Sequence, residues 1–416
     1  MQRRTLLKFL GMGGLAAAGG LAWHYWPREG LLNACLDARL PPDLADERLI
    51  AAWEGIDPHQ FRDGHVHLVG LGDGDTGAWV NPHMSRSAVS LQHAQFRLYL
   101  NASCVDSSQG KVDQDYVRRL ASLADQLPEG ARLMLLAFDY HYTADGTVDR
   151  ANSTFYLPNQ RAAEVAMGHP ERFEWIASIH PYREDALETL AQAVANGARA
   201  VKWLPPAQGM DPASPRCDAF YAAMRSYDLP LLSHGGDEHA VEGKEFQRLG
   251  NPLRLRRALE HGVRVIVAHC ASQGQGEDLD AGSKPKLMHN FDLFARMMDE
   301  PEWNGRLFGD ISAMVQVNRM GRPLRTLLGR PDWHGRLVNG SDYPLPGVMP
   351  LISLQALADF GYLKADLLPF LARLRRHNPL LFDFVCKRYL RYRGQGFSAM
   401  AFETRRVFER PDTATG

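Results

Sequence analysis

The stretch Asp63-Gly64-His65-Val66-His67 decides how the chain is read. It lies within a strand-like run, Phe61–Leu68, and sets two imidazoles at i and i+2. On a strand these positions project from one face, so both rings reach the same point. Seven more short apolar or β-branched runs follow: Arg132–Phe138, Trp175–Ile179, Arg199–Trp203, Pro230–Ser233, Arg264–Ala268, Leu307–Ile311 and Arg336–Asn339. Amphipathic stretches with helical spacing separate most of them, most clearly Asp185–Ala195, Pro215–Tyr227, Pro252–His261 and Asn290–Asp299. Strands alternating with helices predict a parallel α/β sheet. Eight strand signals, with no dinucleotide-type glycine fingerprint after the first, favour a closed (β/α)8 TIM barrel over an open sheet. The gap from Gly70 to Gly130 is too long for one crossover, so an insertion is expected after the first strand. Its Gly- and Asp-rich start, Gly70–His83, suits a loop over the site.

Working outward, the chemistry collects at strand ends. The fourth strand reads Ala200-Val201-Lys202-Trp203, and the fifth ends in Ser233-His234-Gly235. The sixth ends in Ala268-His269-Cys270 and the eighth in Gly340-Ser341-Asp342-Tyr343-Pro344. In a closed barrel all C-terminal strand ends open on one mouth. His65, His67, His234, His269 and Asp342 would then converge in one pocket. Neutral imidazoles with one carboxylate suit zinc or a similar divalent ion. Each residue alone is ordinary: a buried histidine, a surface lysine, a turn aspartate. Their shared position at the same end of successive strands is what points to a metal site.

Taken together, these motifs resemble the amidohydrolase superfamily, in particular its amidohydrolase-related branch of metal-dependent barrel hydrolases and decarboxylases. The resemblance runs from Asp63 to Asn378. It implies that His65, His67 and His234 are ligands and that Asp342 is both ligand and proton acceptor. It implies one of two roles for His269: ligand of a second metal, or hydrogen-bond partner of the attacking water. Lys202 matches the position that is carboxylated in two-metal members. We favour a single zinc-like ion with Lys202 uncarboxylated; in the two-ion reading Lys202 and His269 form the second site. The expected activity is hydrolysis of an amide, ester or lactone bond of a small molecule by metal-activated water. The alternatives are a decarboxylase acting on an unsaturated or aromatic acid, and a non-catalytic envelope binding protein. A decarboxylase needs an arginine for the carboxylate, and Arg319 after the seventh strand is the one candidate.

Five other residues carry open readings. His141 and Tyr142, after the second strand, either face the pocket or lie exposed in a loop. His180 is either a supporting donor or a packed turn residue. His239 is placed on a surface loop, and Arg319 is either a substrate anchor or a solvated arginine.

The remaining features bound the setting. The chain has 416 residues, 45% hydrophobic and 23% charged, enough apolar material for a large core. A net charge of −1 argues against a nucleic-acid partner. Residues 1–29 read as a twin-arginine-type signal or N-terminal anchor, with Arg3-Arg4-Thr5-Leu6-Leu7-Lys8 before an apolar run from Phe9 to Trp26. This predicts engagement of the twin-arginine export machinery, a periplasmic location and, with the segment retained, tethering to the inner membrane. Residues 30–60 read as an arm with a short helix, 61–395 as the barrel, and 396–416 as a C-terminal tail, disordered from Arg410. Of five cysteines, Cys35 and Cys104 are the candidate disulfide, and core packing is expected of the others.

Overall fold

The computed structural model describes residues 29–86, 91–238, 241, 243–282 and 286–409. The leader, His239 and the tail from Arg410 lie outside the described residues. None of the described helices is long and apolar enough to cross a membrane.

Eight parallel strands form the frame: β1 (Arg62–His67), β2 (Arg132–Leu136), β3 (Phe173–Ile176), β4 (Val201–Trp203), β5 (Leu231–His234), β6 (Val265–Ala268), β7 (Leu307–Asp310) and β8 (Leu337–Val338). All eight fall on the expected runs. Ladders join β1–β2–β3 and β4 through β8. Two seams close the ring. At the first, Ala177 N–H donates to Ala200 and Lys202 N–H to Ala177. At the second, Gly64 N–H donates to Asn339, Asp342 N–H to His65 and His67 N–H to Tyr343. The result is a TIM barrel.

Period-two alternation explains both its stability and its chemistry. Along β2, Leu133 and Leu135 face the outer helices, whereas Met134 and Leu136 face the barrel axis. Ile176, Ala200, Leu232, Ile266, Phe308 and Val338 join them in an apolar layer inside the ring. Two residues further along their strands, Ala200, Leu232 and Phe308 are followed by Lys202, His234 and Asp310. The same alternation that fills the barrel therefore lifts polar groups to its mouth.

Helices wrap the ring. The β1–β2 connection carries α1 (Leu91–Ala102) and α2 (Val112–Ala124), and α3 (Asn159–Gly168) follows β2. Then come α4 (Ala186–Ala195), α5 (Asp218–Ser226), α6 (Arg256–Glu260), α7 (Asn290–Asp299) and α8 (Arg322–Gly329), one between each pair of later strands. After β8, α9 (Leu368–His377) and α10 (Pro379–Tyr389) complete the shell. The arm holds a helix at Glu47–Trp53, lays Leu36 against Arg376 of α9, and is joined by a Cys35–Cys104 disulfide to the residues just after α1. Cys217, Cys270 and Cys386 are free and buried.

One boundary differs from expectation. Residues 396–409, read as tail, fold back beneath the barrel and bury Phe397, Phe402, Val407 and Phe408. Val407 and Phe408 belong to the barrel's interior cluster and plug its lower end. Burying each such side chain is worth roughly 1.5–3 kcal/mol. The run of charges from Glu403 to Arg406 hides these apolar residues from a composition-based reading.

Candidate metal centre and cavity

At the mouth, β1 presents His65 and His67 while the turn after β8 presents Asp342. His67 Nε2 lies 3.2 Å and His65 Nε2 3.5 Å from Asp342 Oδ1. One donor atom from each of these three residues falls within 4.8 Å of the others, so the group can hold a metal ion. His269 Nε2 is 3.8 Å from Asp342 Oδ2, and the His65 and His269 rings stack with centroids 5.1 Å apart. Lys202 Nζ lies 3.3 Å from His65 Nε2. His234 stands next to this group, its ring 5.4 Å from that of His269, with Nδ1 3.4 Å from Glu238 Oε2.

A buried carboxylate that sequence reasoning missed sets the imidazoles. Asp310, at the end of β7, accepts from His65 Nδ1 at 2.7 Å and from Ser312 Oγ at 2.5 Å. Ser312 Oγ lies 2.8 Å from His269 Nδ1. Because the hydroxyl donates to Asp310, it accepts from His269. The hydrogen-bond pattern thus places the protons of both rings on Nδ1 and turns both Nε2 lone pairs to the mouth, where that of His65 faces Lys202 Nζ. The signal for Asp310 was present: it ends its strand as His234 and His269 follow theirs, and its carboxylate is the usual outer partner of a ligating imidazole.

Electrostatics agree with this assignment. Burial pushes His65 and His269 below the ordinary imidazole value, with the Lys202 and Arg319 charges adding to the effect, and moves His234 to about 4. Burial also brings Lys202 down to about 8. Burial would raise the carboxyl of Asp342, but the His269, His65 and His67 rings beside it outweigh that and hold it well below the carboxylate range. Neutral nitrogens and an ionised carboxylate are what a divalent ion requires.

The turns carrying these groups are strained. His269, Cys270, Ala271 and Asp342 all have left-handed φ, between 49° and 60°. Such positions cost about 1–3 kcal/mol each in non-glycine residues and persist only where packing enforces them. Gly340 permits the close approach of the turn after β8: a Cβ there would lie 2.7 Å from His65 Cβ and 2.8 Å from Asp310 Oδ1.

Above the centre is a cavity of about 270 Å³. Its walls come from the insertion (Val80, Met84, Phe96, Tyr99, Leu100), from Phe138 and Phe155, and from loops after β5, β7 and β8. Arg319 lines it and is 8% exposed, so it is not a solvated surface arginine. His141, Tyr142 and His180 are buried away from it. His141 Nδ1 is bonded to the Ala207 carbonyl at 3.0 Å, Tyr142 donates to Asp139 at 3.3 Å, and His180 Nε2 is bonded to the Gln208 carbonyl after β4 at 3.0 Å.

The model of a family described as Amidohydrolase matches residues 63–360. No curated protein matches the sequence. Among solved structures, an uncharacterised TIM-barrel protein from Bordetella bronchiseptica is 13% identical, with 74% of this chain and 92% of that chain covered at a TM-score of 0.45. A probable 2-pyrone-4,6-dicarboxylic acid hydrolase from Acinetobacter baumannii is 13% identical over 72% of this chain and 91% of its own, at 0.40. The 5-carboxyvanillate decarboxylase of Sphingomonas paucimobilis is 12% identical over 72% and 98%, at 0.41.

Proposed function

Since this chain belongs to the amidohydrolase family, we propose that it is a metal-dependent hydrolase of an amide, ester or lactone bond in a small molecule. The observation that carries this reading is the convergence of His65, His67 and Asp342, with donor atoms mutually within 4.8 Å, the His65 tautomer set by Asp310 and that of His269 by Ser312. His234 is the further imidazole of the proposed set. A divalent ion held there, zinc by preference, supplies a Lewis acid that brings the pKa of a water towards neutrality.

The chain's own residues do the rest. Asp342, ionised and facing both β1 imidazoles, accepts the proton of the attacking water. The neutral Nε2 of His269 orients that water by hydrogen bonding. Apolar side chains of the insertion keep bulk solvent from the reacting carbonyl, which strengthens every charge interaction inside. In the two-ion variant, Lys202 and His269 take the second site.

We also propose export through the twin-arginine machinery to the periplasm, with tethering if the leader is retained. The Cys35–Cys104 disulfide supports an oxidising compartment.

The test is elemental analysis of the purified protein together with turnover of an amide, ester and lactone panel by the native chain and by Asp342→Asn. About one zinc-like ion per chain is expected, with turnover lost in the variant by at least ~100-fold. About two ions would move Lys202 and His269 into a second site. No metal, and none taken up on reconstitution, would sink the reading.

A further inference from the structure

Three arginines are buried among the described residues: Arg62, Arg319 and Arg375. Two are fully explained by the fold. Arg375 donates to the carbonyls of Pro346, Ile352 and Val348. Arg62 pairs with Glu174 at 2.6 Å and donates to the Phe61 carbonyl at 2.7 Å. Arg319 is different. Its guanidinium makes one hydrogen bond, from Nη1 to Ser272 Oγ at 2.7 Å, and its buried Nε has no partner. Among the described residues no carboxylate lies within 4.0 Å of it, although it feels the charges of Asp342 and Glu238 at longer range.

A cation buried without an ion pair is among the least favourable arrangements a folded chain can keep. This one is kept at the wall of the cavity, beside Gln316 and Asn318 on the loop after β7. A planar guanidinium with free donors matches a carboxylate in fork geometry. Much of the remaining wall is apolar, with Val80, Phe96, Leu100, Phe138, Phe155 and Leu351, and its other charged side chains are Lys202 and Asp342 at the metal centre and Glu238 beside His234. Phe138 and Phe155 stack with centroids 4.1 Å apart, a flat surface suited to an aryl or alkyl body.

We propose that Arg319 is the carboxylate-binding end of the cavity and that the substrates are carboxylates with a hydrophobic body. Their scissile amide, ester or lactone carbonyl sits at the His65/His67/Asp342 end. The placement of the scissile bond rests on the hydrolase reading; the carboxylate subsite does not, because binding alone reveals it.

The experiment is calorimetric titration of the full chain with 3-phenylpropionate and with its neutral amide. Both are titrated into native protein, Arg319→Met and Arg319→Lys, with metal as purified and after chelation. The acid is expected to bind native protein at least ~10-fold more tightly than the amide, as a charge-assisted pair gives. That preference should survive chelation, vanish in Arg319→Met and return in part in Arg319→Lys. Arg319→Met should melt no lower than native protein, since the cation it removes is unpaired. Equal binding of acid and amide, or no binding of the acid at millimolar concentration, overturns the proposal. So does a preference that chelation abolishes and Arg319→Met retains, for a metal would then be holding the carboxylate. If Arg319→Met does not fold, Arg319→Lys decides: native-like discrimination would mean the fork is not used.

Discussion

Acid should destabilise this protein in part through one buried ring, beginning before the ordinary carboxylates are protonated. His180 is fully buried; Nε2 donates to the Gln208 carbonyl at 3.0 Å, and Nδ1 accepts from Tyr182 N–H at 3.1 Å. A proton added to Nδ1 would face another N–H, so only the neutral ring fits. Burial accordingly moves its pKa to about 3 from the ordinary 6.5. Above pH 6.5 neither state carries the proton and the group contributes nothing to pH dependence. Below it the unfolded chain takes up a proton that the folded chain refuses. Stability is therefore lost at up to about 1.4 kcal/mol per pH unit, roughly 2 kcal/mol by pH 5 and about 4 kcal/mol at pH 3. His180→Gln keeps one donor and one acceptor but cannot titrate. Urea unfolding of both proteins at pH 7, 6 and 5, in one metal state, should give curves of stability against pH that diverge by one proton. Groups shared by both proteins cancel in the comparison. Parallel curves would refute the assignment of His180 as a neutral, doubly bonded ring.

Two further outcomes follow from single contacts. Asp310→Asn replaces an acceptor by an amide that donates to His65 Nδ1, shifting the ring proton to Nε2 and spoiling the ligand; metal affinity by competition with a chelating dye should fall ~10- to 100-fold, and unchanged affinity would remove Asp310 from the site. Cys35→Ser opens a disulfide closing 69 residues, which the chain-entropy account values at about 4 kcal/mol; urea midpoints equal in native and variant protein would show that the arm is held by its other contacts.

The barrel was legible because its strands obey a period that composition cannot hide. Met134 and Leu136 alternate with Leu133 and Leu135, and the same rhythm carries Leu232 to His234 and Phe308 to Asp310. The proposed ligands were legible for the same reason, standing on or just after strands whose ends share one mouth. What was not legible lay where no period operates. Arg319 sits on an irregular loop, and its burial follows from tertiary packing around the cavity that no local pattern encodes. Asp310 was passed over because attention to imidazoles leaves out the carboxylate that aims them. Residues 396–409 read as tail because Val407 and Phe408 are flanked by charged side chains. His141 and His180 show the converse, polar rings at strand ends whose hydrogen-bonding capacity is used by backbone.

The seam between β1 and β8 has a consequence in time. Ser341 N–H donates to Asp63 Oδ1 at 2.7 Å across 278 residues of sequence, so the two sides of the proposed metal centre meet only when the ring closes. A nascent chain that has left the ribosome with seven strands made carries His65 and His67 but lacks Asp342. Contacts of such long range form late, after local helices and hairpins. An ion that needs all three donors could be held only by a chain that extends past Asp342. On the proposed reading, metal binding would therefore report that the chain has been made through its last barrel strand.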